Sequence, residues 1–598
     1  MRPTDLDLAQ RVRPALLLEL DLTQGVRETP PASPVEAARF RHVPVLRAVV
    51  EALREASYDE RVVGLVAHVG SHPLTLAQAE EVRAAVSAFG QTGKPAVCWS
   101  ESFGELGPGT LPYYVASAFN ELWLQPSGDV GLTGVVAQAV FVRDALDKLG
   151  VTTQVGQRRE YKTAANMFVE SGMTAPHREM VERLVESAST TIIDGVAAGR
   201  GLTADAVQDA RDHAPLAADE ALERGLVDRL GYRDEVYADL RERLGPVQLR
   251  YVTRYGKGLG SVNQQAARVA STVTRRPKPV VAVVQASGGI HLGRSRQSPL
   301  GASSVGADSL GAALRAVGQD DSVHAVVLRV DSPGGSYVAS DAVRREVLRL
   351  RLTGRPVVAS MASVAGSGGY YIAMPADVIV ASSGTLTGSI GVLAGKEMLR
   401  SALSRIGVQR ESVSSGKYAE MFSRQRPFTD DEWQRMEAWL DRVYADFTTK
   451  AADDRGMAVA DLEAVARGRV WSGADAREHG LVDEVGGLDQ AVEIACSRAA
   501  LPRSGVVVKT LPKASLVERL RPAESSEHHA AATLGLGAGT LGLGAGTLGL
   551  GAGTLGLGAG TLGLGAGTLG FGTGFETALG DLGLAPLGVL TMPVTWHL

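Results

Sequence analysis

The sequence predicts an α/β protein made of two copies of one domain. Short apolar runs, such as residues 325–328 and 378–380, alternate with helical segments such as 75–89 and 340–352. This alternation implies crossover connections and largely parallel sheets. The chain also repeats itself, because residues 112–116 (PYYVA) recur 257 positions later as GYYIA. A period of this length indicates a duplicated domain rather than a solenoid.

The repeat sets the predicted domain boundaries. Residues 1–245 form the first α/β half, residues 246–278 connect the halves, and residues 279–510 form the second half. The apolar run near residue 15 predicts the first strand of the first half, matching a similar run that begins at Pro279. Residues 511–598 form a Gly-rich, low-complexity C-terminal tail.

A candidate nucleophile lies in the second half. Ser367 stands between glycines in residues 366–369 (GSGG), after a strand-like run and before a short apolar helix that stops near Pro375. Glycines let the backbone turn sharply, and a helix N-terminus offers free N–H groups. A lone GSGG is more often an ordinary turn, so this motif by itself indicates little.

Two further segments make the GSGG turn informative. Residues 331–336 (DSPGGS) and 385–392 (TLTGSIGV) flank residues 363–377 (SVAGSGGYYIAMPAD). Together the three resemble the signal peptide peptidase A (protease IV) family in its long, duplicated form. The resemblance implies tandem ClpP/crotonase-like βαβ superhelical domains. It also implies a serine endopeptidase with a Ser/Lys dyad that hydrolyses released signal peptides or other extended apolar peptides.

Ser367 needs a base, and the residues leave the choice between histidine and lysine open. His291, His324 and His479 stand in no motif that would place them beside it. A lysine can act only when burial or positive potential keeps it neutral.

The resemblance implies a lysine from the first half. Lys162 stands in YKTAANMF (residues 161–168), which looks like the segment that carries the family's base. Lys417, in GKYAEMF, is the alternative, because the short family form takes its lysine from the same domain as the serine. We favour Lys162 because its string is the closer match. For either lysine alone, a solvated surface position is the more frequent explanation.

The resemblance also assigns supporting roles. Ser389 would orient the lysine, and the backbone N–H groups of Gly335 and Gly368 would form an oxyanion hole. We expect apolar substrate pockets near Ser367, lined by Val364, Tyr370, Ile390 and Leu393. A bowl-like homotetramer is expected, and no cofactor or metal is required.

The first half has diverged at the corresponding place. Thr110 stands where the second half has Ser367, and Pro112 stands where it has Gly369. We therefore expect the first half to lack peptidase activity of its own.

Composition argues against some functional classes but does not by itself identify a peptidase. The formal net charge of −5 gives no indication of the basic surface that binds nucleic acid. No His, Cys and carboxylate residues have the spacing of metal ligands. Cys98, in a predicted strand, and Cys496, in a predicted helix, are expected to be buried free thiols.

The two ends bear on localisation. Residues 1–25 hold only a short apolar run flanked by charges, which predicts neither a signal peptide nor a membrane anchor. A bacterial protein that is cytoplasmic or peripheral at the membrane is expected. In the tail, LGLGAGT occurs five times over residues 534–568. We interpret it as a flexible product of repeat slippage, with peripheral membrane contact as the alternative.

Two other functions fit parts of the pattern. A catalytically inactive scaffold would keep the fold with a misplaced lysine. An acyl-CoA-processing enzyme of the crotonase type would use paired amide loops to polarise a thioester, although the SGGY motif with a lysine argues against it.

Overall fold

The structure is a computed structural model that describes residues 15–31, 34–70, 74–105, 107–255, 278–297 and 303–511. The first 14 residues, most of the predicted connector and the tail with its LGLGAGT repeats lie outside the described residues. The chain divides into two compact units. The first unit contains residues up to Val136 and from Val185 to the connector, and the second contains Ala137–Leu184 and the residues after the connector.

The first unit is built on a six-stranded sheet in which all neighbours run parallel. In spatial order its strands are Arg229–Leu230, Glu121–Leu124, Ala96–Ser100, Val62–His68, Ala15–Asp21 and Val247–Tyr251. A short antiparallel pair, Asp129–Val130 with Leu216–Ala217, stands apart from it. Its α-helices are Pro34–Arg39, Leu46–Tyr58, Leu76–Gly90, Thr110–Ala116, Ala204–Asp212, Ala218–Glu223 and Arg233–Leu244, with a 3₁₀ turn at Val252–Arg254.

The second unit is built on an eight-stranded sheet. Its main path is Val470–Ser472, Leu386–Gly388, Val357–Gly366, Val323–Ser332, Val280–Ser287 and Val507–Thr510. Strand Val378–Ala381 pairs with the beginning of Val357–Gly366 and also with Glu484–Val485. Leu386–Gly388 pairs with Val470–Ser472 in the antiparallel sense, whereas the other described pairs of this sheet are parallel.

Smaller elements complete the second unit. Two minor sheets join Gly289–His291, Ser303–Gly306 and Arg296–Gln297, and Leu393–Met398 with Thr152–Gln157. The α-helices are Arg143–Leu149, Asn166–Val169, Ala307–Gln319, Tyr337–Arg351, Gly368–Ala373, Arg400–Arg405, Asp430–Arg455, Val459–Val465, Gly473–Glu478 and Leu488–Arg498, with 3₁₀ turns at Thr163–Ala165 and Arg503–Gly505. The helix Ala175–Arg200 contributes residues to both units.

The two sheets repeat one topology, which confirms the predicted duplicated α/β architecture. Strand Ala15–Asp21 and its neighbours follow one another in the same spatial order as Val280–Ser287 and its neighbours. The outlying antiparallel pair also has a counterpart, since Leu386–Gly388 lies 257 residues after Asp129–Val130.

Continuous apolar runs explain the central strands. Val326, Val327 and Leu328 are all fully buried, which is the pattern of a parallel strand covered by helices on both faces. The two cysteines lie in such surroundings: Cys98 in a strand and Cys496 in a helix, both buried and neither in a disulfide, as predicted.

Helix starts follow the capping residues. Thr75 accepts a hydrogen bond from the Gln78 amide and caps the first predicted helix, which therefore begins at Leu76, one residue later than predicted. The second predicted helix begins three residues earlier than residue 340, because Ser336 caps it by accepting from the Ala339 amide. Ser340 is inside the helix, where its hydroxyl bonds the Ser336 carbonyl.

One segment of the first sequence half belongs to the second unit. Residues Ala137–Leu184 group with it, and strand Thr152–Gln157 pairs along its whole length with Leu393–Met398. Among the described residues, no helix has both the length and the apolar character needed to cross a membrane.

Leu328→Ala should lower the free energy of unfolding of the second unit by about 2–5 kcal/mol, because Leu328 is fully buried in the central strand and a cavity would be left. Leu352→Ala is the matched control: its side chain is 81% exposed, so a change within about 0.5 kcal/mol is expected. Urea unfolding followed by circular dichroism, resolved into separate transitions, measures both. Equal effects of the two substitutions would contradict this assignment of the core.

Candidate active site

Ser367 occupies the turn between a strand and a helix. Strand Val357–Gly366 ends one residue before it and helix Gly368–Ala373 begins one residue after it. Its amide donates to the Gly388 carbonyl at 2.7 Å, and its carbonyl accepts from the Tyr371 amide at 2.8 Å. Its φ of 55° lies in the left-handed region, which costs a non-glycine residue about 1–3 kcal/mol. The turn therefore holds Ser367 in a conformation that its own preferences disfavour.

The amine of Lys162 lies against two serines. Its Nζ is 2.7 Å from Ser367 Oγ, and it donates to the Ser389 carbonyl at 2.9 Å. The Ser389 hydroxyl is 3.0 Å from the same nitrogen. All three residues belong to the second unit, although Lys162 comes from the first sequence half.

Burial sets the protonation of this amine. Lys162 is 0% exposed, and loss of hydration lowers its pKa well below the ordinary value of 10.5. Burial disfavours the charged form of a lysine, so the amine is pushed toward neutrality. A neutral amine at hydrogen-bond distance from a hydroxyl is able to accept its proton.

Two glycines make room for the Lys162 side chain. A Cβ on Gly391 would lie 3.1 Å from Lys162 Cδ. A Cβ on Gly468 would lie 2.6 Å from Lys162 Cβ, and Gly468 has a φ of 81° that favours glycine. The Gly468 amide donates to the Ile390 carbonyl at 2.8 Å, which holds the two loops together around the lysine.

Main-chain and ionic contacts hold the segment that carries Lys162. The Arg158 amide donates to the Val392 carbonyl at 2.9 Å, continuing the pairing of strand Thr152–Gln157. The Arg158 guanidinium pairs with Glu437 at 2.8 Å and also with Asp441. Lys162 thus follows directly after a segment fixed to the second unit at several points.

Ser389 resembles Ser367 in its backbone. Its φ is 51°, again in the left-handed region, and its amide donates to the Arg469 carbonyl at 2.7 Å. Both residues that contact the Lys162 amine are therefore held in strained turns, a property that clusters at functional sites.

The loop after strand Val323–Ser332 approaches Ser367. Gly335 has a φ of 151°, and a Cβ there would lie 2.1 Å from the Ile290 carbonyl oxygen. A Cβ on Gly368 would lie 3.1 Å from the Gly335 nitrogen, so the backbones of these two glycines are neighbours. Gly368 is the first residue of its helix, where an N–H has no acceptor within the helix.

The structure does not bring Lys417 to this site. Its side chain is 71% exposed, and its Nζ pairs with Asp431 at 2.8 Å. That carboxylate raises the pKa of Lys417, which favours the charged form. The three histidines also have other contacts: His291 with Ser304, His324 with the Ser322 carbonyl, and His479 with the Trp471 ring.

The expectation for apolar pockets was wrong for three of the four residues. Tyr370, Ile390 and Leu393 are buried, and the Tyr370 hydroxyl donates to the Leu481 carbonyl. Their side chains are part of the buried core. Val364 is half-buried and, like Tyr161, packs against a cluster formed by Met180, Leu184, Leu386 and Val470.

The corresponding place in the first unit has different contacts. Thr110 Oγ1 donates to the Gly134 carbonyl at 3.0 Å and accepts from the Gly134 amide at 3.1 Å. A Cβ on Gly134 would lie 3.5 Å from Arg211 Cδ, so an arginine stem covers this glycine as the Lys162 stem covers Gly391. Arginine stays protonated and cannot act as a base.

Sequence reasoning missed Gly468 and Arg469. They stand in residues 466–470 (ARGRV), which carry no motif of their own. Their importance follows only from contact with residues about 300 positions earlier, so no local pattern could have indicated it. Within the described part of the chain, no three His, Cys, Asp or Glu side chains are grouped as a metal site would require.

Comparison with known proteins finds relatives that are named as peptidases. The sequence model of peptidase family S49 matches residues 88–246 and 349–501, one segment in each half. The serine protease SPPA, chloroplastic, of Arabidopsis thaliana is 33% identical, with 86% of this chain and 73% of that protein covered. Protease 4 of Salmonella typhi is 32% identical, with 76% and 72% covered. A solved structure of the 1510-N membrane-bound stomatin-specific protease is 15% identical and covers 41% of this chain and 97% of its own, with a TM-score of 0.25.

Lys162→Met should stabilise the second unit at neutral pH. The native amine loses hydration on folding, whereas a thioether of similar length does not, so a rise of at least about 2 °C in the unfolding midpoint at pH 7 is expected. The unfolded chain binds more protons than the folded one between the lowered pKa and 10.5. The free energy of unfolding of the unsubstituted protein therefore rises with pH across that window, relative to that of Lys162→Met. The stabilisation that the substitution gives at pH 7 disappears near the upper end of the window.

Lys417→Met is the control, because this exposed amine has no burial cost to relieve. Scanning calorimetry from pH 7 to 10.5 measures both variants. A Lys162→Met gain that does not change with pH would show that the amine is not kept neutral by burial.

Proposed function

The chain belongs to peptidase family S49 and is a serine endopeptidase, and we propose that Ser367 is its nucleophile and Lys162 its general base. The observation that carries the proposal is the 2.7 Å separation between Lys162 Nζ and Ser367 Oγ, inside a site that excludes water from the amine. The lowered pKa of Lys162 supports the same roles, because only a neutral amine has a lone pair to accept the hydroxyl proton.

The proposed reaction is an acyl transfer in two steps. Lys162 takes the proton of Ser367 as Oγ bonds to the substrate carbonyl carbon, and a tetrahedral intermediate forms. The peptide C–N bond then breaks, and the Lys162 ammonium gives its proton to the leaving amine. In the second step a water, deprotonated by Lys162, attacks the acyl-enzyme ester, and Ser367 regains its proton.

Ser389 is proposed to orient the base. A neutral amine has two N–H donors and one lone pair. The Ser389 carbonyl and hydroxyl, at 2.9 and 3.0 Å, can take both donors. The lone pair is then left facing Ser367 Oγ, which is the orientation that proton transfer requires.

The amides of Gly335 and Gly368 are proposed to bind the oxyanion. Their backbones are neighbours at the turn that carries Ser367. Two N–H donors aimed at a developing oxyanion lower the barrier, and losing one such donor typically costs about 3–4 kcal/mol. Glycine is required at Gly335, because any side chain there would meet the Ile290 carbonyl.

Peptides are the substrates, and we infer that extended apolar peptides, including released signal peptides, are the preferred class. The resemblance to signal peptide peptidase A supports this inference, as does the apolar cluster beside Val364. On the same resemblance we propose that the chain works as a homotetramer. Peripheral membrane contact stays the alternative interpretation of the LGLGAGT repeats and does not rest on that resemblance. The acyl-CoA alternative has less support, because crotonase-type chemistry usually relies on carboxylates and not on a buried amine.

Lys162→Ala should lower kcat for peptide hydrolysis by about 10²–10⁴-fold, since this is the usual contribution of general acid–base catalysis. Lys417→Ala should keep kcat within about 2-fold, because this exposed lysine contacts Asp431 and not Ser367. Assays with a fluorogenic peptide across pH 5–10 decide between the two lysines. An active Lys162→Ala variant, or an inactive Lys417→Ala variant of normal stability, would overturn the assignment.

Substrate class has its own test. In a panel of labelled peptides that differ only in the residue before the scissile bond, leucine should give a higher kcat/KM than lysine or glutamate. Burying a charged side chain beside an apolar cluster costs more than burying an apolar one. Ser367→Ala serves as the blank for contaminating peptidases. A preference for the charged residues would contradict the proposed substrate class while leaving the dyad unaffected.

A further inference from the structure

Arg469 contacts two residues next to Lys162: Ser389, which bonds the amine, and Tyr161, which precedes Lys162 in the chain. Its carbonyl accepts the Ser389 amide at 2.7 Å. Its guanidinium carbon lies 4.8 Å from the centre of the Tyr161 ring, and Tyr161 is the residue before Lys162. One residue therefore connects Ser389, through the main chain, to the segment that carries the amine, through its side chain.

The guanidinium is held between two rings. Its carbon is 4.4 Å from the centre of the Trp471 ring as well as close to Tyr161. Trp471 is fixed in turn, because its indole N–H donates to the Val465 carbonyl at 2.8 Å. Trp471 is the middle residue of strand Val470–Ser472, which pairs with the strand that leads to Ser389. The guanidinium thus joins Tyr161 to the strand behind Ser389.

A shared carboxylate adds a third connection. Arg469 Nη1 donates to Glu179 at 2.7 Å, and the Tyr161 hydroxyl donates to the other oxygen of Glu179 at 2.9 Å. These two hydrogen bonds hold the pKa of Glu179 below its ordinary value, and the bond from Tyr161 is the larger cause. Glu179 is therefore ionised at neutral pH, and it fixes the arginine and the tyrosine relative to each other.

Arg469 is more buried than the arginine of the neighbouring ion pair, although Glu179 is itself 56% exposed. Glu160 pairs with Arg467 at 2.8 Å, but their side chains are 36% and 48% exposed. Exposed pairs of this kind contribute little. The Arg469 side chain is 16% exposed, and cation–π contacts strengthen as water is removed.

We propose that Arg469 is a positioning residue for the reaction: its guanidinium fixes Tyr161 against strand Val470–Ser472 and so keeps Lys162 Nζ between Ser367 and Ser389. The proposal rests on the role of Lys162 as the base. Misplacing a reacting group by about 1 Å can cost about 10²-fold in rate, so a contact that sets the position of the amine affects kcat even though it touches no substrate.

The experiment uses the full chain and a fluorogenic peptide with leucine before the scissile bond. Arg469→Gln removes the cation but keeps the backbone carbonyl that holds Ser389. It should lower kcat by about 10–100-fold with KM changed by less than about 2-fold. The acidic limb of kcat/KM should move to higher pH, because a displaced amine regains water and its pKa rises.

Matched variants isolate the contact. Arg469→Lys keeps a cation near the rings and should recover part of kcat. Tyr161→Leu removes the ring and should reproduce the loss seen in Arg469→Gln, and the double variant should lose little more, because both changes break one contact. Glu160→Gln removes the exposed ion pair two residues from Lys162 and should leave kcat and the pH profile unchanged.

Each outcome decides the proposal. An Arg469→Gln variant with native kcat and pH profile overturns it. So does a fall in kcat with an unmoved acidic limb and a matching fall in unfolding temperature, since that is a structural effect. If Arg469→Gln does not fold, Arg469→Lys and Tyr161→Leu give the same readouts. An active Lys162→Ala variant would overturn the proposed base and this proposal together, whereas an inactive one beside a native-like Arg469→Gln would overturn this proposal alone.

Discussion

The amine of Lys162 can accept a hydrogen bond from Ser367 Oγ only because the amine is kept out of water. A hydrated lysine would be charged at neutral pH and could only donate to the hydroxyl. Gly391 and Gly468 leave space for the side chain, and the strained turns at Ser367 and Ser389 aim their oxygen atoms at one nitrogen. The surrounding fold must therefore offset both the strain and the cost of an unhydrated amine.

The duplication explains how such a site arises. Both sheets have the same strand order, yet the residues Ala137–Leu184 of the first sequence half group with the second unit. The lysine and the serine thus come from different copies of the repeat. In the first unit, the Thr110 hydroxyl donates to the Gly134 carbonyl and an arginine stem covers that glycine, so the corresponding position has a threonine and an arginine in place of the serine and the lysine.

Much of the fold could be predicted because parallel strands have continuous apolar runs, as at Val326 to Leu328. The surroundings of Ser367 could be located because its motif is contiguous in sequence. From the sequence alone, Lys162 could be favoured over Lys417 but not established, because both lysines stand in similar strings and differ chiefly in burial. That burial depends on glycines about 230 and 306 residues after Lys162, and no local pattern reports contacts at such separations. The apolar residues near Ser367 were misplaced for a similar reason: hydrophobicity does not distinguish a pocket wall from a core.

Separation along the chain has a consequence during synthesis. Lys162 precedes Ser367 by 205 residues, and Gly468, which accommodates the lysine, lies about 100 residues beyond Ser367. Because a ribosome releases the N-terminus first, the surroundings of Lys162 cannot be completed until nearly the whole described chain has emerged. With the proposed roles of Lys162 and Ser367, the chain would lack a complete dyad while it is being made, because Gly468 lies in one of the last described segments to leave the ribosome.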